Sequence, residues 1–147
     1  MKAEILEATK DKLRTHKINL SKEIEAVQES MTSDTKSSAG DKYETGREMM
    51  NQEVAKLRAQ LDIINRNLAV LQNIKANEAC DSVRFGALVK TSLADYFISI
   101  SYGKLALAEQ DFMLISALSP LAQLMIGKKE GESVNWKGQE ILIEKVK

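Results

Sequence analysis

Thr32-Ser33-Asp34-Thr35-Lys36-Ser37-Ser38-Ala39-Gly40-Asp41-Lys42-Tyr43-Glu44 decides how the first half of this chain folds. It is made of residues that stop one helix and cap another. On its C-terminal side Met50, Val54, Leu57, Leu61, Ile64, Leu68 and Leu71 recur in alternating steps of four and three. That is a heptad seam, with Glu53, Lys56, Arg58, Asp62 and Arg66 off it. On its N-terminal side Leu6, Leu13, Leu20 and Val27 repeat every seven, helped by Ile24 and Met31. Lys10 and Lys17 sit at the intervening positions and weaken that seam. Two long helices joined by a short turn lie antiparallel, so the spacing predicts a helical hairpin with its tip near residues 33–45.

The composition changes near residue 77. Before it there is no proline and only Gly40 and Gly46; after it come five glycines, the only proline and the only tryptophan. Two domains are therefore expected, a coiled-coil hairpin over 1–77 and a second unit over 78–147. In the second, Val83–Lys90, Ala94–Tyr102 and Phe112–Ser116 read as strands bounded by glycine or polar clusters. Ser119 then offers a helix N-cap with Pro120 at the first helical position, opening a short helix through Ile126 that Gly127 ends. Val134–Trp136 and Glu140–Val146 flank Lys137-Gly138-Gln139, the turn of a hairpin. The fold class is α+β, a helical hairpin followed by a small antiparallel sheet with one short helix.

Charge and composition exclude several functions. The 147 residues carry 21 basic and 21 acidic side chains, so the molecule as a whole is no electrostatic nucleic-acid binder. One cysteine, Cys80, allows no internal disulfide and fits a reducing compartment. With His16 as the lone histidine, a zinc site is not expected. The start of the chain is charged and amphipathic, unlike a signal peptide. The apolar run from Leu114 to Ile126 is short and broken by polar residues. A soluble, cytoplasmic protein is expected.

Asp41 and Glu44 lie three apart and so share one helix face. As first-turn acids they also suit the positive end of a helix dipole, and Ser38-x-x-Asp41 approximates a capping box. Lys10, Lys12, Arg14, His16, Lys17 and Lys22 concentrate positive charge along the first arm, among Glu4, Glu7 and Asp11; they form either a phosphate-binding surface or a solvated face. Phe85, Tyr96, Phe97, Tyr102, Phe112 and Trp136 fall along strands at core-like spacing.

Three segments carry a resemblance to a known family. Gly40-Asp41-Lys42-Tyr43-Glu44-Thr45 is similar to the Gly-Asp-x-x-Glu-Asn tip motif of the GreA/GreB bacterial transcript cleavage factors. The block Ile115–Val134, in which Ser119-Pro120 opens a helix ending at Gly127-Lys128, resembles that family's C-terminal block. Phe85-Gly86-Ala87-Leu88-Val89 looks like its first C-terminal strand, with a closing strand at Ile141–Val146. The resemblance implies an FKBP-like C-terminal domain that docks on bacterial RNA polymerase through Ser119, Pro120 and Gln123. It implies that the coiled coil enters the secondary channel and brings Asp41 and Glu44 to the catalytic centre. There they would share a Mg²⁺ ion with the polymerase, which cleaves its own backtracked RNA.

On this reading the chain is no enzyme by itself, is a monomer when free and binds no membrane. Lys10, Arg14 and Lys17 would contact the nascent RNA 3′ segment. Tyr43 would stack on RNA, pack on the polymerase, or fold back on the turn. Mg²⁺ takes about six oxygens, so two carboxylates hold it only together with partner groups. Three alternatives stand beside this: a channel regulator acting by occlusion, a prolyl isomerase, and a coiled-coil interaction module.

Overall fold

The computed structural model describes residues 1–32 and 45–147 in full and the backbone alone of 33–37 and 41–44; residues 38–40 lie outside the described residues. The elements are α1 (Lys2–Ser37), α2 (Asp41–Gln72), β1 (Leu88–Thr91), β2 (Asp95–Ser99), β3 (Gly103–Leu107), β4 (Gln110–Ser116), α3 (Pro120–Met125), β5 (Ser133–Trp136) and β6 (Gln139–Val146). By contacts the chain divides into two compact units, Asp11–Leu68 and Met1–Lys10 with Ala69–Lys147. The expected boundary at 77/78 follows composition; the compact units follow packing, so both helices begin or end among the residues of the sheet unit.

The unit Asp11–Leu68 is built from the two seams. Leu13, Leu20 and Ile24 of α1 and Val54, Leu57 and Ile64 of α2 are buried, at the spacing the sequence sets. Lys17, at a seam position, is half-buried, with its long methylene stem suited to covering apolar surface. Val27 and Ser30 of α1 line one groove together with Gly46, Met49, Met50 and Glu53 of α2, so the two helices face each other there.

The other unit holds one six-stranded sheet in the order β3-β4-β2-β1-β6-β5. Its pairs are antiparallel except one: β2 runs parallel to β4, Tyr96 opposite Met113 through Ser99 opposite Ser116. The expected antiparallel sheet is thus mixed, and the cause is β3. The stretch expected as one strand through Tyr102 ends at Ser99, and the chain turns into β3. That strand pairs with β4 from Gly103–Leu114 to Leu107–Gln110. The hairpin folds back with β4 inward, so β4 lands beside β2 pointing the same way.

Two-residue turns close two of the three hairpins. Lys137 and Gly138 (φ 51° and 81°) join β5 to β6, and Ala108 and Glu109 (φ 52° and 62°) join β3 to β4. Positive φ at both central positions is the type I′ geometry, which matches the twist of the strands. Ala and Glu adopt it at a cost of roughly 1–2 kcal/mol each. The double change Ala108→Asn, Glu109→Gly is therefore expected to stabilise the chain by about 1 kcal/mol or more, read as a higher urea midpoint at unchanged slope.

The two faces of the sheet are packed differently. Val89, Tyr96, Ile98, Ile141 and Ile143 share a buried cluster with Leu121, Ala122 and Met125 of α3. On the opposite face Leu88, Phe97 and Leu114 stand in one cross-strand row, all buried. Ile5 and Leu6 of α1, Leu71 of α2 and Ile74 after it are also buried in this unit.

Helix α3 forms as its residues dictate. Ser119 is the N-cap, its hydroxyl accepting from the Ala122 N–H at 3.3 Å, and Pro120 follows where a missing N–H costs nothing. The chain leaves through Gly127 at φ 89°, a left-handed conformation that glycine adopts without a Cβ penalty. Reciprocal bonds of 2.8 Å, Gly127 N–H to the Val83 carbonyl and Val83 N–H to the Lys128 carbonyl, fasten that exit.

Candidate functional site

Helix α2 starts at Asp41. Asp41 and Glu44 therefore stand on the first turn of a helix of 32 residues, which is about 48 Å long at 1.5 Å per residue. Helix α1, with 36 residues, is of about 54 Å. The side chains of Asp41, Tyr43 and Glu44 lie outside the described residues. What the backbone settles is their phase: three residues apart in a helical turn, on one face, at the end where backbone N–H groups are unsatisfied and negative charge is favoured.

The basic residues of α1 are already engaged in part. Lys10 Nζ stands 3.5 Å from Glu7, and Arg14 lies 3.4 Å from Asp11. The exposed Arg14–Asp11 pair is worth a few tenths of a kcal/mol, so a phosphate would displace its acid easily, whereas the Lys10 side chain is only 15% exposed. Lys17 has no ion pair within 4.0 Å among the described residues. Arg14 and Lys17, three apart on one helix, present charge along a common side. His16 is exposed and belongs to no cluster of three His, Cys, Asp or Glu side chains among the described residues.

Around α3 the structure separates two roles. Ser119 spends its hydroxyl on the cap, and Gln123 Nε2 donates to the Ala117 carbonyl at 2.6 Å, bracing the loop that enters the helix. Pro120 and Gln123 are exposed. Beside them stand three exposed aliphatic side chains that the sequence reading passed over. Leu118 is 86% exposed, Leu124 41% and Ile126 38%. The buried stripe of the helix, Leu121, Ala122 and Met125, points the other way. The signal was available: with those three inward, Leu124 falls off the stripe, and Leu118 precedes the cap.

A buried lysine also escaped the sequence reading. Lys2 is 8% exposed, and its ammonium donates to the Glu78 carbonyl at 2.6 Å and the Gly86 carbonyl at 3.4 Å, with the Cys80 sulfur 3.9 Å away. Carbonyl acceptors repay the desolvation of the charge. Arg84 is on the same loop and lies 3.5 Å from Glu78; the Cys80 thiol first, and then Glu78, hold its guanidinium above its ordinary pKa. Cys80 is buried, where a free thiol packs as a small apolar group.

Tyr96, Phe97 and Phe112 are buried in the sheet unit, whereas Trp136 is half-buried with the Lys137 ammonium 5.0 Å over its ring. These aromatics act as core and edge packing, as their spacing predicts. Among the described residues no helix is long and apolar enough to cross a membrane, and no three His, Cys, Asp or Glu side chains gather as a metal site.

No protein-family model matches the chain, and no curated protein matches it. Among solved structures the chain is similar to the transcription factor Gfh1, at 16% identity over 93% of this chain and 92% of that one, with a TM-score of 0.38. It is also similar to a crystal structure of GreA factor homolog 1 (Gfh1) of Thermus thermophilus, at 18% identity over 89% and 94%, with a TM-score of 0.34.

Proposed function

We propose that this chain is a bacterial RNA polymerase-binding factor whose helical hairpin delivers Asp41 and Glu44 to the polymerase's catalytic centre and so stimulates cleavage of backtracked RNA. One observation carries the reading. The Asp-x-x-Glu stretch coincides with the start of α2, so the backbone of both acids lies in one helical turn. The Ser119-Pro120 opening of α3 and its exposed Leu118, Leu124 and Ile126 supply a separate surface for docking.

The division of labour follows from the donor set. Two carboxylates giving one oxygen each fill only a minority of the roughly six positions that Mg²⁺ takes. Asp41 and Glu44 would hold the ion jointly with polymerase carboxylates and RNA phosphate. An ion held there would supply polarisation of phosphoryl oxygens and activation of water, as in two-metal phosphoryl transfer. The chain's own contribution is reach, fixed spacing of two negative charges, and orientation of water beside them. Arg14 and Lys17 would steady the extruded RNA through its phosphates, a contact that weakens with salt.

This assignment requires that the free protein bind Mg²⁺ negligibly. Calorimetric titration of the isolated chain is expected to give no heat of saturable binding below millimolar Mg²⁺; a submicromolar site would contradict a shared ion.

Thr45, standing where the resembled family has Asn, favours one second reading: a channel-binding regulator that occludes without promoting cleavage. Both readings are tested in one experiment, in which the protein is added to a stalled, backtracked polymerase complex. Shortening of the RNA 3′ end supports cleavage. Inhibited nucleotide addition with intact RNA supports occlusion. No effect on either, with no polymerase binding, overturns both.

A further inference from the structure

We propose that the sheet unit carries a second ligand site, for a small phosphate monoester, on the face where Lys90, Lys145 and Lys147 meet. The register makes the case. Lys90 of β1 lies directly opposite Lys145 of β6. Two residues on, Leu88 pairs with Lys147 through reciprocal backbone bonds of 3.1 and 2.9 Å. Strand alternation therefore puts three ammonium-bearing side chains on one face. Like charges directly opposite each other across an antiparallel pair are destabilising, and three together need a counter-charge.

One counter-charge stands beside them. Asp95 lies opposite Lys90 on the other side, across β1 and β2. Its Oδ2 instead accepts a hydrogen bond of 2.5 Å from Gln110 Nε2. None of the three lysines makes an ion pair among the described residues. The strand geometry brings the three lysines together, with Asp95 as the one carboxylate side chain lining the same pocket.

They surround a pocket of about 220 Å³ that Leu88 and Phe112 also line. Counting side chains, three ammoniums against one carboxylate leave an excess of two positive charges. A phosphate monoester is close to a dianion at neutral pH and accepts several charge-assisted hydrogen bonds at once. The apolar lining suits a short organic group on the ester. The volume lies below the usual range of pockets for drug-sized ligands, so a dinucleotide is too large.

The test is a titration of the isotope-labelled full chain by NMR at constant ionic strength, with inorganic phosphate and with phenyl phosphate. Saturable shifts confined to amides near residues 88–90 and 145–147 are expected, with phenyl phosphate several-fold tighter than phosphate. Lys90→Gln and Lys145→Gln should each weaken phenyl phosphate about tenfold. Without ligand, Lys145→Gln should melt higher than the wild type, because the repulsion is relieved, and phenyl phosphate should raise its melting temperature less. Lys104→Gln, at a lysine paired with Asp111, should change nothing.

Equal shifts around Lys104 and Lys137, or a double Lys90→Gln, Lys145→Gln variant that binds like the wild type, would overturn the proposal. So would an RNA oligonucleotide without terminal phosphate that shifts these amides when phenyl phosphate does not, since the site would then read a nucleic-acid backbone. All variants keep Asp41 and Glu44, so failure here leaves the polymerase reading untouched.

Discussion

Asp41→Asn combined with Glu44→Gln is expected to lower RNA cleavage stimulated in a backtracked complex by about a hundredfold or more, with polymerase binding changed only a few-fold. The amides keep the size of the carboxylates and remove their charge. Charge placed where a transition state develops it is commonly worth a factor of about 10²–10³ per group, and a shared metal loses two ligands at once. The competing role of the same acids, stabilising the first turn of α2, is worth only about 0.3–1 kcal/mol each. A capping role alone therefore predicts a slightly lower melting temperature and unchanged cleavage. Measuring both in one preparation separates the roles, and unchanged cleavage by the double variant sinks the catalytic one.

The second large effect is structural. Phe97→Ala should destabilise the sheet unit by about 3–5 kcal/mol. Phe97 is fully buried in the central strand β2, between Leu88 and Leu114 in the cross-strand row. Its removal leaves a cavity that two neighbouring strands, held by their ladders, cannot collapse into. Since domains of this size have about 5–15 kcal/mol in total, the variant should unfold at far lower denaturant. Phe85→Ala is the contrast: Phe85 is 37% exposed, and its loss should cost far less. Equal midpoints for the two variants would mean that the row does not hold the sheet.

The elements that sequence reasoning found are those whose signals are local. The heptad spacing of Leu13, Leu20, Val54, Leu57 and Ile64 fixes which sides of α1 and α2 are buried. Ser119, Pro120 and Gly127 state where α3 begins and where the chain leaves it. Lys137-Gly138 marks a hairpin because Gly138 takes a positive φ freely.

What escaped has non-local causes. Strand β3 was missed because its turn uses Ala108 and Glu109, residues with no turn preference, held at positive φ by the ladder on either side. The parallel pairing of β2 with β4 follows from that unseen strand. The burial of Lys2 depends on carbonyls of residues 78 and 86, which no window around residue 2 contains. At the tip, the start of α2 was legible from the capping residues before it. Its side-chain geometry at Asp41, Tyr43 and Glu44 lies outside the described residues.

The anchoring of Lys2 also sets a timetable for the growing polypeptide. Its partners are made after the whole of Asp11–Leu68, so the first turn of α1 waits through most of synthesis for the carbonyls that will hold it. A loose connection of that length raises the closure entropy only logarithmically, and a hairpin already zipped along its seams shortens the effective loop further. The emerging chain is thus favoured to complete its hairpin first and to gather its two distant ends onto the sheet last. A separately expressed fragment of residues 78–147, carrying every strand, would lack the ten residues that supply Lys2, Ile5 and Leu6, and should aggregate more readily than the full chain.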